Sequence, residues 1–95
     1  MDFDSKKSGK VKIEYCGSGG YESQLKRAQL LIWMAYPKAE VEVSSMSRGP
    51  GCFEIFANGK SVHSKLGGDG DLDDSTINAM MVRLRGVIEG KKIAQ

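Results

Sequence analysis

Short stretches of alternating apolar and polar residues predict four strands. Over residues 10–16 the apolar side chains occupy every second position, which is the period of a strand with one buried face. A second strand is predicted over 39–45, and a third and fourth over 52–57 and 60–66. Between the last two stands Asn58-Gly59, the dipeptide that best accommodates the positive φ angles of a two-residue type I′ turn. These two strands therefore form a predicted hairpin.

Two longer stretches have the period of a helix. Over 21–36, apolar residues recur three and four positions apart, as on one helix face. Pro37 ends this helix, because its ring removes a hydrogen-bond donor and disfavours helical geometry in the residue before it. The second helix carries one apolar stripe, made of Ile77, Met80, Met81, Leu84, Val87 and Ile88. Asp73 or Asp74 is expected to cap its start, and Gly90 is expected to end it.

The predicted elements follow one another in the order β-α-β-β-β-α. A strand-helix-strand crossover makes the first two strands parallel, and the hairpin makes the last two antiparallel. The result is an α/β (α+β) domain with a mixed four-stranded sheet and two helices, which is a minimal thioredoxin-like architecture. We assign this domain to residues 10–90, with a flexible lead-in over 1–9 and a short tail over 91–95.

Composition limits the chain to one domain and to a few classes of function. Its 95 residues, 40% of them hydrophobic, suffice for one core. The 14 basic and 12 acidic residues nearly balance, and a net charge of +2 argues against a nucleic-acid-binding surface. No apolar stretch reaches the roughly 18 to 20 residues of a membrane span, and the first residues lack the apolar core of a signal peptide. We therefore expect a cytoplasmic protein that binds neither nucleic acid nor membrane.

The main candidate for chemistry is Cys16, which closes the first predicted strand. The loop after it consists of Gly17, Ser18, Gly19 and Gly20. The helix that follows this loop begins with partial positive charge, which favours the thiolate form of a nearby cysteine. A dithiol motif would place a second redox residue three positions after Cys16, where the sequence has Gly19. The motif is therefore incomplete.

Several motifs, taken in their order and spacing, resemble those of a known family. They are Val11-Lys12-Ile13-Glu14-Tyr15-Cys16-Gly17-Ser18, Gly20-Tyr21, Gly51-Cys52-Phe53-Glu54-Ile55, Asn58-Gly59-Lys60 and Val62-His63-Ser64-Lys65. With the closing helix they extend over most of the chain, from about Lys10 to Gly90. Together they resemble the selenoprotein W, or Rdx, family of small thioredoxin-like proteins.

The resemblance implies a thiol-redox protein in which Cys16 reacts and glutathione or protein thiols are the exchange partners. Members of the family carry a cysteine followed three positions later by selenocysteine or cysteine, and Gly19 stands at that second position here. Gly19 is either a natural loss or a replacement for one of those residues. With glycine there, we expect a single-cysteine cycle with glutathione as co-substrate rather than dithiol turnover. No bound cofactor or metal is implied.

The resemblance also supports an alternative of a different class, a non-catalytic interaction module. Such a module would bind a signalling partner, such as the 14-3-3 proteins, through the redox loop. The first helix adds a surface to consider, because Leu30, Leu31, Trp33 and Met34 exceed what one buried stripe requires. That surface has two interpretations. It binds a partner protein or a second copy of the chain, or it is a wide face that packs into the core. We expect a monomer or a weak homodimer.

For two further side chains, Cys52 and His63, the sequence allows more than one role. Cys52 stands at the start of the third predicted strand, and in thioredoxin-like folds the segment that enters this strand approaches the redox loop. It is either a resolving thiol for Cys16 or a small buried residue that begins the strand, and the second interpretation is favoured. The only histidine, His63, would act as a proton shuttle if it faced the loop, but its place between Val62 and Ser64 predicts an exposed strand residue. One histidine without a close cysteine pair also argues against a zinc site.

Overall fold

The computed structural model of the chain describes residues 9–16, 20–46 and 51–90. Within these residues the chain forms four strands and two α-helices in the predicted order. They are β1 (Lys10–Cys16), α1 (Glu22–Ala35), β2 (Glu40–Met46), β3 (Phe53–Ala57), β4 (Lys60–Ser64) and α2 (Ile77–Glu89). Predictions that concern residues 1–8, 17–19, 47–50 and 91–95 lie outside the described residues.

The four strands form one mixed sheet in the order β2-β1-β3-β4. β1 runs parallel to β2, with Lys10 opposite Glu40, and antiparallel to β3. β3 and β4 form the antiparallel hairpin. These pairings confirm the predicted thioredoxin-like architecture. Because β1 lies between β2 and β3, its last residue, Cys16, lies inside the sheet rather than at an edge.

The sheet and both helices share one buried apolar cluster. α1 contributes Ala28 and Ile32, which are fully buried. The predicted stripe of α2 buries Ile77, Met80, Leu84 and Ile88. The strands contribute Val11, Ile13, Phe53, Ile55, Ala57 and Val62. Each large side chain removed from water in this way stabilises the fold by about 1.5–3 kcal/mol before the loss of chain entropy.

A hydrogen bond joins the carboxyl ends of the two helices. Tyr36, directly after α1, donates its hydroxyl proton to Glu89 Oε2 at 2.7 Å. Burial, together with the neighbouring carboxylate, raises the pKa of Tyr36 to about 12. The hydroxyl therefore remains a donor throughout the neutral range, and the contact fixes one end of α1 against α2.

Part of the apolar surface of α1 lies outside this core. Leu30, Trp33 and Met34 are 54%, 62% and 65% exposed, whereas Leu31 is half-buried. The wide core face, one of the two interpretations of this surface, therefore does not hold for these three residues. Neither helix in the described part of the chain has the length and apolar character needed to cross a membrane.

The turn between β3 and β4 has the predicted form. Asn58 and Gly59 have φ angles of 50° and 83°, both positive as a type I′ turn requires. The Asn58 side chain also accepts a hydrogen bond through Oδ1 from the backbone nitrogen of Lys10 at 2.9 Å. This contact joins the hairpin to the start of β1.

A register shift in the hairpin contradicts the prediction for His63. The pairing slips between Ile55 and Phe56, so that Ile55 faces His63 whereas Phe56 faces Ser61. The extra residue, Val62, allows two consecutive side chains of β4 to lie in the interior. Val62 is fully buried and His63 is 1% exposed. The prediction of an exposed His63 is wrong because it assumes strict alternation along the strand.

The segment after β4 begins earlier than the predicted strand boundaries indicate. β3 begins at Phe53 and β4 ends at Ser64, so both strands are shorter than predicted. The next five residues, Lys65–Asp69, form a wide turn with a kink at Gly68. Gly68 in this turn has φ of 113°, a conformation that favours glycine. The connection between β4 and α2 therefore begins with a defined turn.

The boundaries of α2 confirm one predicted signal and correct another. Gly90 ends the helix with φ of 71°, in the left-handed region. At the other end, α2 begins at Ile77, after Thr76. The Asp73 carboxylate therefore does not cap the helix; it accepts a hydrogen bond from the backbone nitrogen of Ser75 at 2.9 Å, in the turn before α2.

Candidate functional site

The predicted reactive thiol lies at the carboxyl end of β1, one of the two inner strands of the sheet. Cys16 closes β1 and is 3% exposed, so a reagent reaches its sulfur when this strand end opens locally. Gly17, Ser18 and Gly19 of the predicted redox loop lie outside the described residues. Gly20, the last residue of the predicted loop, has φ of 75°, in the region that glycine occupies without steric penalty.

The second cysteine lies directly across the sheet from the first. The antiparallel register of β1 and β3 pairs Tyr15 with Phe53, and the next residues in that register are Cys16 and Cys52. The backbone nitrogen of Cys16 donates a hydrogen bond to the carbonyl oxygen of Cys52 at 3.0 Å. Residues bonded in this way face each other, with Cα atoms about 5.5 Å apart. The structure thus brings together two cysteines that are far apart in sequence.

An aromatic cluster supports the strand end that carries Cys52. Phe53 is fully buried, and its ring stacks on that of Tyr21 with centroids 5.9 Å apart. The ring of His63 meets Phe53 edge-on at 6.1 Å. His63 Nε2 lies 2.9 Å from the carbonyl oxygen of Gly70, and because a carbonyl only accepts, Nε2 carries the proton in this contact. These contacts support a packing role for His63.

A lysine side chain contacts the same cluster. Lys65 Nζ lies 5.8 Å from the centre of the Tyr21 ring, within the range of a cation-π interaction. It also donates a hydrogen bond to Asp71 at 2.7 Å, which is the main cause of the raised pKa of Lys65. A Cβ added at Gly51 would lie 3.3 Å from Tyr21 Oη and 3.4 Å from Lys65 Cε. A positive charge therefore lies beside the residue that precedes Cys52.

The wide turn Lys65–Asp69 holds this lysine in place. Asp69 Oδ2 accepts a hydrogen bond from the backbone nitrogen of Ser64 at 2.9 Å and another from Arg83 Nη1 at 3.0 Å. Ser64 Oγ in turn accepts one from the backbone nitrogen of Gly67 at 2.8 Å. The backbone hydrogen bond from Ser64, followed by that from Arg83, lowers the pKa of Asp69. The turn thus depends on an ionised carboxylate.

The substitution Asp69→Asn tests this dependence. We expect the free energy of unfolding at pH 7 to fall by about 1 kcal/mol, because the amide weakens two hydrogen bonds that a charged acceptor strengthens. The folded-state pKa of Asp69 lies below its ordinary value of 3.8. Its stabilisation is therefore fully present above that value and is lost as the pH falls through the lower folded-state pKa. Urea denaturation of both proteins at stepwise lower pH measures the difference, which should shrink in acid.

A second carboxylate provides the control. Asp74 pairs with Arg27 on the surface, where its side chain is 90% exposed. Exposed pairs contribute little to stability, so Asp74→Asn should change the free energy of unfolding by less than about 0.5 kcal/mol. A loss for Asp69→Asn that stays constant from neutral to acidic pH would contradict the role of its ionised form.

The sequence matches one protein family over most of the described domain. The sequence model described as the Rdx family matches residues 10–85, from the first residue of β1 into α2. The chain belongs to the Rdx family. Both cysteines of this Rdx chain lie inside the matched region. The family is generally related to thiol redox chemistry.

Individual relatives of the Rdx chain agree with this assignment. It is 34% identical over 77 residues to selenoprotein W of Danio rerio, covering 79% of this chain and 90% of that protein. It is also 34% identical over 64 residues to selenoprotein W of Ovis aries, covering 66% of this chain and 74% of the relative. A crystal structure of a selenoprotein W-related protein from Vibrio cholerae superposes with a TM-score of 0.70, covering 85% of this chain and 98% of that one. At 18% sequence identity, this last match shows the shared fold alone.

Three residues next to the cysteine pair are absent from the predicted site of the Rdx chain. They are Tyr21, Gly51 and Lys65, which belong to the motifs that carry the family resemblance but have no predicted role in the site. The glycine directly before Cys52 is the one signal of close packing that the sequence contains. The motif Val62-His63-Ser64-Lys65 contains Lys65 but does not place it beside the cysteines, because its position depends on the turn that Asp69 closes.

Proposed function

We propose that this Rdx chain is a thiol oxidoreductase in which Cys16 exchanges with glutathione or with protein thiols. The observation that carries the proposal is the position of Cys16 at the carboxyl end of β1, immediately before the segment that leads into α1. Family membership supports the same class of chemistry. Cys16 is the nucleophile of this proposal, and glutathione is its co-substrate.

The exchange begins when the Cys16 thiolate attacks one sulfur of glutathione disulfide. A bond forms between Cys16 Sγ and that sulfur, the original S–S bond breaks, and one glutathione thiolate leaves and takes up a proton. A second thiol then attacks the mixed disulfide and returns Cys16 to its thiolate. The first attack follows local opening at the end of β1, which costs less free energy than global unfolding.

The charge near the cysteine pair suits an anionic partner. Glutathione is an anion at neutral pH, because its two carboxylates outweigh its one amine. Lys65 remains protonated there, since the hydrogen bond to Asp71 raises its pKa. The Lys65 side chain lies close to Gly51 and Tyr21, and a carboxylate that approaches the adjacent strand end would share its ammonium with Asp71.

Alkylation of the reduced native protein tests the proposed nucleophile. We expect iodoacetamide at neutral pH to label Cys16 at least about tenfold faster than Cys52, because the thiolate is the reacting form and the helix terminus favours it at Cys16. Mass spectrometry of digested samples, taken over time, measures both rates. In urea the two rates should become similar, which provides an internal control. Equally slow labelling of both cysteines in the folded protein would contradict the proposal.

A second candidate function, a non-catalytic interaction module, is favoured by one surface. Leu30, Trp33 and Met34 are more than half exposed and lie three and four positions apart, so they share one face of α1. The family resemblance suggests 14-3-3 proteins as partners, through the redox loop. Binding of such a partner that is undiminished in a variant without the Cys16 thiol would favour this module over thiol chemistry.

A further inference from the structure

Cys16 and Cys52 are the two cysteines of the whole sequence, and the sheet places them opposite each other. Their backbones are joined by the hydrogen bond of 3.0 Å from the Cys16 nitrogen to the Cys52 oxygen. They continue the register in which Tyr15 faces Phe53. Directly opposite residues of an antiparallel pair extend their side chains from the same face of the sheet. The two thiols are therefore neighbours.

The positions meet the main distance condition for a disulfide. Opposite residues that are hydrogen-bonded have Cα atoms about 5.5 Å apart, within the range of about 4.4–6.8 Å found in disulfides. Their Cβ atoms, at about 4.5–5.5 Å, lie slightly farther apart than the roughly 3.5–4.5 Å of a relaxed disulfide. Closure therefore needs an approach of about 1 Å, and a bond closed under strain is more easily reduced.

The location at two strand ends allows this approach. Cys16 is the last residue of β1, and Cys52 immediately precedes β3. Strand ends open locally at lower cost than strand centres, because fewer hydrogen bonds and packed side chains must separate. Gly51, with φ of 79°, precedes Cys52 and supplies backbone freedom on that side. The pair can therefore close without disturbing the register in the centre of the sheet.

We propose that Cys52 is the resolving thiol of Cys16 and that the two form a disulfide between β1 and β3 during each redox cycle. The inference rests on the proposed function, because Cys16 must first react with glutathione disulfide. In this proposal Cys52 takes the role of the second redox residue, which Gly19 cannot fill because it has no thiol. The redox couple then lies across two strands of the sheet instead of within one loop.

The reaction balances with glutathione disulfide as the oxidant. The Cys16 thiolate displaces one glutathione thiolate and becomes the mixed disulfide. The Cys52 thiolate then attacks Cys16 Sγ; the Cys16–Cys52 bond forms, the bond to glutathione breaks, and a second glutathione thiolate leaves. The two protons from the cysteine thiols are taken up by the two glutathione thiolates. The protein is oxidised by two electrons, and glutathione disulfide is reduced to two glutathione molecules.

Oxidation of the reduced native protein tests the pair directly. We expect each protein molecule to release two molecules of glutathione from one molecule of glutathione disulfide. The intact protein should lose the mass of two hydrogens and carry no glutathione, and digestion should yield a peptide that links Cys16 to Cys52. Dithiothreitol should reverse the change. On non-reducing electrophoresis the oxidised protein should remain a monomer, since the bond lies within one chain.

The variants Cys52→Ala and Cys52→Ser separate this inference from the proposed function. Either variant is expected to stop at the first step, releasing one glutathione and accumulating the Cys16 mixed disulfide at least about tenfold above the native protein. A native protein that keeps the same stable adduct as these variants, without a linked peptide, would overturn the role of Cys52 and leave Cys16 as the nucleophile. A link found only in covalent dimers would also overturn it. Failure of Cys16 to react in any of these proteins would overturn the proposed function itself.

Discussion

Replacing Cys16 with alanine is expected to abolish thiol exchange with glutathione. Cys16→Ala removes the proposed nucleophile and leaves Cys52 as the only cysteine. Because Cys52 is expected to be much less reactive than Cys16, it should take over the first step only very slowly. The rate of glutathione release from glutathione disulfide should therefore fall by about a hundredfold or more. Alanine suits the site because buried cysteine packs as a small apolar residue.

The matched control is Cys52→Ala, which removes the opposite thiol and retains Cys16. Its first glutathione should be released at close to the native rate, because the attacking thiolate is unchanged. The comparison separates loss of chemistry from loss of fold, since both alanines replace buried cysteines at neighbouring strand ends. Exchange at the native rate in Cys16→Ala would contradict the assignment of the nucleophile. Retained binding of a protein partner in the same variant would then favour the interaction module.

Elements with a local cause can be predicted from the sequence. The hairpin follows from Asn58-Gly59, whose positive φ angles are confirmed, and the end of α1 follows from Pro37, two residues after its last residue. The parallel pairing of β1 and β2 follows from the helical crossover that connects them. In the hairpin and at the end of α1, one or two neighbouring residues restrict the backbone enough to decide the outcome.

Features that depend on distant contacts cannot be predicted in this way. The bulge that buries His63 arises from the pairing of Ile55 and Phe56 with β4, and no residue in β4 marks it. The wide turn after β4 is closed by Asp69, whose partners include Arg83 on α2. A period-based prediction counts residues along one strand and contains no information on such cross-chain partners.

The candidate site likewise contains one feature with a local cause and one that depends on distant contacts. Cys16 is predicted at the end of a strand, and that location is confirmed because alternation marks the strand well. Its contact with Cys52 is accessible to sequence analysis only as one of two alternatives, because the register of β1 against β3 depends on the packing of the whole sheet. The hydrogen bond from the Cys16 nitrogen to the Cys52 oxygen shows that the two residues face each other, and the resolving role can therefore be tested directly.

Replacing Phe53 with alanine is expected to lower the free energy of unfolding by about 3–5 kcal/mol. Phe53 is fully buried, stacks on Tyr21 and meets His63 edge-on, so its loss leaves a cavity between the rings of Tyr21 and His63. A domain of this size has a total stability of about 5–15 kcal/mol, so the change removes a large share of it. Urea denaturation followed by circular dichroism measures the loss. Because Phe53 follows Cys52 directly, the strand end should also open more often.

Phe56→Ala provides the matched control on the same strand. Phe56 is half-buried and faces Lys12 of β1, so its removal should cost less than about 1.5 kcal/mol. The two variants should also differ in the alkylation of Cys52, which becomes faster in Phe53→Ala and stays at the native rate in Phe56→Ala, because only the first loosens the backbone beside that thiol. Equal losses of stability, with no change in the labelling of Cys52, would show that the aromatic cluster does not hold this strand end.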